Sequence, residues 1–147
     1  MSSPAETVVA RAHVVLSAAL SEVTVTRRRL DAFDATELPA AEVLRADMQL
    51  EAFSDRSDRA LVVFRLAFVV LDAAGANSEG ALDALHTRAH EALLRDEELS
   101  RLCRGLRCTS TEEPIGVAAG DGDGLRMTAS YQCQALTRRT SLQHTLS

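Results

Sequence analysis

The sequence predicts an α+β domain of two layers, with helices packed on one face of a mostly antiparallel sheet. Three observations carry this expectation. Apolar residues recur at helical spacing near the N-terminus and again after Asn77. Period-two alternation fills residues 43–53, 60–71 and 125–136. No period of 20–50 residues repeats, which excludes solenoids and propellers. The expected order is α-β-β-β-α-β-β. One domain over residues 1–136 with a C-terminal tail, 137–147, fits a chain of 147 residues.

The first helix has a start signal with a mechanism. Ser3 caps, Pro4 supplies the fixed φ of the first helical position, and Glu6 completes a capping box. Val8, Ala12, Val15, Leu16 and Ala19 give its apolar stripe, and the helix is expected over 4–20. Val23-Thr24-Val25-Thr26 is β-branched and leads into Arg27-Arg28-Arg29. Residues 31–39 read as a loop closed by Leu38-Pro39.

From Val43 to Phe53 the alternation is clean. Leu44, Ala46, Met48, Leu50 and Ala52 share one face; Arg45, Asp47, Gln49 and Glu51 share the other. Residues 54–59, including Asp55 and Arg56, form a polar connector short enough for a hairpin loop. Residues 60–71 are apolar on nearly both faces, which predicts a central strand covered on two sides, with Arg65 needing a partner or an opening to water.

Asn77 or Ser78 caps the second helix, whose core stripe is Leu82, Leu85, Ala89, Ala92 and Leu93. Asp96-Glu97-Glu98-Leu99 is a second cap opening a short turn to Leu102, ended by Gly105. Residues 106–111 read as a strand. Residues 112–124, with Glu112, Glu113, Asp121 and Asp123 among Pro114, Gly116, Gly120, Gly122 and Gly124, read as a long loop or a hairpin tip. In the last strand Leu125, Met127, Ala129, Tyr131, Cys133 and Ala135 form the apolar face.

Composition narrows the function classes. The chain is 46% hydrophobic and 25% charged, the balance of a globular domain. All 16 basic residues are Arg, yet 21 acidic residues give a net charge of -5, so generic affinity for nucleic acid is not expected. Four Phe, one Tyr and no Trp leave few stacking platforms. Three Cys, at 103, 108 and 133, match neither a disulfide framework nor a CxxC spacing, which points to a reducing compartment and to small buried hydrophobes. The N-terminus shows no signal-peptide pattern, and the most apolar run is too short to span a bilayer.

Catalytic chemistry finds few candidates. His86 and His90 stand at i, i+4 on the second helix but without an HExxH pattern, and they flank its core stripe as boundary residues do. Gly120-Asp121-Gly122-Asp123-Gly124 lacks the ligand spacing and closing Glu of a calcium loop. No nucleophile elbow or phosphate-cradling loop occurs. No enzyme activity, cofactor or metal is therefore expected. Interaction surface is expected instead, on Arg27, Arg28 and Arg29, on the polar strand face at Arg45, Asp47, Gln49 and Glu51, and on the 54–59 and 112–124 loops.

The arrangement resembles the bacteriophage tail terminator family, the lambda-type minor tail proteins that cap the tail tube. The likeness spans residues 4–136. It rests on the N-terminal helix with Val23-Thr24-Val25 and the loop ending Glu37-Leu38-Pro39-Ala40, and on the two long strands followed by the second helix. It rests also on the run Leu93, Leu94, Asp96, Leu99, on Cys108-Thr109-Ser110-Thr111-Glu112, and on a final strand carrying Tyr131.

The resemblance implies a six-membered ring in the virion, at the head-proximal end of the tail, assembled in the host cytoplasm. The ring would dock on the last tail-tube subunits, stop their polymerisation and offer a surface to head–tail connector or neck proteins. DNA would pass its lumen without specific binding, as the acidic balance suits, and no membrane is involved. A radius of gyration near ~15 Å allows six touching copies to leave a hole roughly 38 Å across, enough for a duplex. A head–tail connector is the alternative of related architecture; a small cytoplasmic ligand-binding domain is a third.

Overall fold

The computed structural model describes residues 3–27, 32–52 and 57–138. Helix α1 (Pro4–Ala19) begins as its sequence dictates, with Ser3 Oγ accepting from the Glu6 N–H at 3.1 Å. The Glu6 carboxylate, however, binds Arg27. Strand β1 (Thr24–Arg27) and a short 3-10 turn (Ala35–Glu37) lead to β2 (Ala40–Ala52) and β3 (Ser57–Leu71). Helix α2 (Ser78–Arg95) starts on Asn77, whose side chain accepts from the Gly80 N–H. The turn expected after Asp96 is a true helix, α3 (Glu97–Leu102), with Asp96 accepting from the Leu99 N–H at 2.9 Å. It ends at Cys103. Gly105 belongs instead to β4 (Arg104–Thr111), where its φ of 67° serves an irregularity between Arg104 and Arg107.

Residues 112–124 resolve as the hairpin alternative. Strand β5 (Ile115–Ala119) turns at Gly120, φ 62°, into β6 (Gly122–Arg138). Strand β6 thus extends past Leu136, and residues 139–147 lie outside the described residues.

The six strands among the described residues form one sheet in the order β1-β2-β3-β6-β4, with β5 also on β6. Only β1 and β2 run parallel. The architecture is therefore the α+β arrangement read from the sequence, with α3 and β5 added to the element order. All three helices pack with the core on one side of the sheet. There Val8, Leu16, Val43, Phe64, Leu66, Phe68, Leu82, Leu93 and Tyr131 are almost fully buried.

The expected double covering of β3 holds only at one end. On its helix-free side Phe33, Leu38 and Val117 cover Val69, but Leu61 and Val63 are half-buried and Arg65 opens to water. An Arg on an otherwise apolar strand is stable there because its guanidinium keeps its hydration.

Strand β2 departs from the expected alternation. Arg45 opposes Phe64 and Asp47 opposes Val63, so a bulge at Ala46 reverses the phase of the strand. Leu44, opposite Arg65, faces away from the helices, whereas Arg45 stands on the helix side with Met48 and Leu50. The grouping of Arg45 with Asp47, Gln49 and Glu51 is corrected accordingly. A one-residue insertion leaves no compositional mark, yet it flips every side chain beyond it.

Candidate interaction face and the polar knot behind it

Strand register assembles the helix-free face row by row, since directly opposed residues share a side. One row runs Asp47, Val63, Gln132, Arg107 across β2, β3, β6 and β4. The next runs Gln49, Leu61, Gln134, Arg104. Asp47, Gln49, Arg104, Arg107 and Gln134 are exposed, around the half-buried Leu61 and Val63. Arg107 is held along the face: with the Gln132 amide oriented to its surroundings, the amide oxygen accepts from Arg107 Nε at 3.2 Å and Nη2 at 2.6 Å. The face is thus acidic and amide-bearing at the β2 edge and basic at the β4 edge. Strand β1 pairs with β2 only up to Val43, so among the described strands the outer edge of β2 beyond that point is unpaired.

The structure divides the other expected interaction residues. Arg27 is committed to Glu6 through two bonds of 2.8 and 2.9 Å, and Arg45 adds its charge to the same carboxylate, holding Glu6 below the usual carboxylate range. Arg28, Arg29, Asp55 and Arg56 lie outside the described residues. Glu51 opposes Arg59 in the β2–β3 ladder. Glu112 and Glu113 are exposed in the β4–β5 link, where the Glu112 N–H bonds to Thr128. Asp121 and Asp123 are exposed at the β5–β6 turn, toward the opposite end of the sheet from Gln49.

On the other side of the sheet lies a polar constellation that the sequence reading did not assemble. Tyr131 Oη sits 2.9 Å from His86 Nε2 and 2.8 Å from His90 Nδ1. The i, i+4 spacing on α2 aims both imidazoles at one point of β6. The phenol has one proton, so it donates to one ring and accepts from the other. Phe64 stacks on Tyr131 with centroids 5.5 Å apart, and Phe68 lies against His86 at 5.6 Å. Burial pushes the Tyr131 phenol up and the His86 imidazole down, so the fold favours the neutral form of both. The signal was present in the sequence: a lone Tyr on the apolar face of a strand requires a partner for its hydroxyl.

Ion pairs hold the helices in register with this layer. Arg11 donates to both Asp96 oxygens at 2.8 Å, which joins α1 to the cap of α3 and holds Asp96 below its usual range. Arg88 on α2 pairs with Glu22. No group of three or more His, Cys, Asp or Glu among the described residues is placed to hold a metal ion. No helix among them is long and apolar enough to cross a membrane. Compared with protein-family models and with curated proteins, the chain matches none of them.

Proposed function

We propose that this chain is a structural subunit of a bacteriophage tail, a terminator that closes into a ring on the end of the tail tube, stops its growth and presents a surface to neck proteins. The observation that carries the reading furthest is the polarity of the helix-free face, with Asp47 and Gln49 at one edge and Arg104 and Arg107 at the other. Like edges meeting about a two-fold axis would set carboxylate against carboxylate and guanidinium against guanidinium. Unlike edges meeting head to tail set the Asp47 carboxylate and the Gln49 amide against guanidinium groups, and a head-to-tail interface that closes makes a ring. Leu61 and Val63 between the edges supply apolar area for the same contact. The resemblance to tail terminators in element order supports the identity of the assembly, and the net charge of -5 suits a conduit through which DNA moves without adhering.

Electron microscopy of the purified protein added to polymerising tail-tube subunits tests this. Rings seated on tube ends and a shortened length distribution are expected. Tubes of unchanged length with the protein remaining monomeric would overturn the reading, and binding to portal rings in preference to tube ends would assign it to the connector.

A further inference from the structure

Two of the three cysteines share the buried helix-side layer. Cys103 closes α3 and is 4% exposed; Cys133 lies in β6 and is 1% exposed. Their sequence neighbours Arg104 and Gln134 oppose each other in the β4–β6 ladder and are exposed on the far face. Cys103, extended at the entrance to β4, and Cys133 therefore turn to the same side of the sheet, one diagonal step apart, next to the irregularity at Gly105. The Cys103 thiol donates to the Leu99 carbonyl at 3.4 Å, and the neighbouring Cys133 pulls it below its ordinary value, while Cys103 and burial push the Cys133 thiol up. A groove of about 430 Å³ opens between α2, α3 and β4, lined by Leu93, Leu94, Leu99, Cys103 and Arg104. It brings the Cys103 side within reach of a small molecule.

We propose that Cys103 and Cys133 are an oxidisable dithiol, which a small disulfide such as glutathione disulfide converts to an intramolecular disulfide joining the end of α3 to β6. The Cys103 thiolate attacks one sulfur of the reagent, the S–S bond of the reagent breaks, and one thiolate leaves and takes up the proton lost by Cys103. Cys133 then gives its proton to the second leaving thiolate as its sulfur attacks the mixed disulfide. Two protein thiols are oxidised and one small disulfide is reduced to two thiols. Cys103 is the attacking group because it faces the groove; Cys133 is the resolving group because it lies behind it. Cys108, on β4 beside Tyr131, takes no part.

Incubation of the native full chain with glutathione disulfide, alkylation of remaining thiols and mass spectrometry of the intact and proteolysed protein test this. The expected result is a loss of about 2 Da, a Cys103–Cys133 cross-linked peptide and alkylation of Cys108 alone. Cys133→Ser is expected to stop at the mixed disulfide on Cys103, and Cys108→Ser to behave as the parent. Three alkylatable thiols after oxidation, a cross-link that includes Cys108, or a mixed disulfide on Cys103 that persists in the parent chain would each overturn the proposal.

Discussion

Tyr131 Oη and His86 Nε2, 2.9 Å apart, join the middle of β6 to the exposed helix layer across a bed of Phe64 and Phe68. His90 makes the same join from the next turn of α2. Tyr131→Phe keeps the ring packing and deprives both imidazoles of their shared partner. A loss of about 1–3 kcal/mol in urea unfolding is expected, with a lowered midpoint and an unchanged slope.

The same knot gives stability a pH dependence. His86 is held below its ordinary value of 6.5 by burial first, then by the neighbouring His90, with Asp83 opposing. The unfolded chain therefore takes up this proton before the folded one does. Stability is full above about 6.5, declines as pH falls below it, and levels once His86 protonates in the fold. Melting temperatures measured from pH 8 down to 5 should fall more steeply for the parent than for His86→Gln.

Asp96 serves two partners at once, capping α3 through Leu99 and receiving both Arg11 bonds. Asp96→Ala removes both and should cost at least about 1 kcal/mol from the cap alone. Asp96→Asn retains an acceptor for the Leu99 N–H but loses the charge that Arg11 pairs with. Chemical unfolding should place it between the parent and the alanine variant.

Gly120→Ala should be costly and Gly116→Ala near neutral. Gly120 has a φ of 62°, and an added Cβ would meet Asp34 Oδ1 at 2.9 Å, whereas nothing lies within 4 Å at Gly116. The strained conformation alone is worth about 1–2 kcal/mol. Thermal unfolding of the two variants side by side checks the contrast.

Charge reversal tests the proposed head-to-tail contact directly. Asp47→Arg and Arg107→Glu should each abolish ring formation while leaving the melting temperature close to the parent's, because both residues are exposed. The double variant should assemble again. Sedimentation velocity reads all three.

Much of the fold was legible where local chemistry acts alone. Ser3, Asn77 and Asp96 announce helix starts because each supplies an oxygen to an otherwise unpaired N–H. Strand β6 was legible because Met127, Ala129, Tyr131, Cys133 and Ala135 alternate without a break, and all five are buried. Strand β5 was not, since Gly116, Ala118 and Ala119 have little strand preference and are extended by pairing with β6. The polar knot was half legible: the two histidines stand one turn apart in the sequence, but their partner is 41 residues beyond His90. Only the fold brings them together.

The extra residue in β2 has an effect beyond its own backbone. Upstream of Ala46, odd-numbered residues Ala41, Val43 and Arg45 look toward the helices; downstream, even-numbered Met48 and Leu50 do. Arg45 and Asp47 are thereby posted to opposite fronts of the molecule although they are two positions apart. Without that change of beat, Arg45 would stand beside Asp47 and neutralise the acidic margin of the sheet. One small residue keeps the two margins opposite in sign, and so gives the sheet a front and a back edge that the proposed neighbouring copy would tell apart.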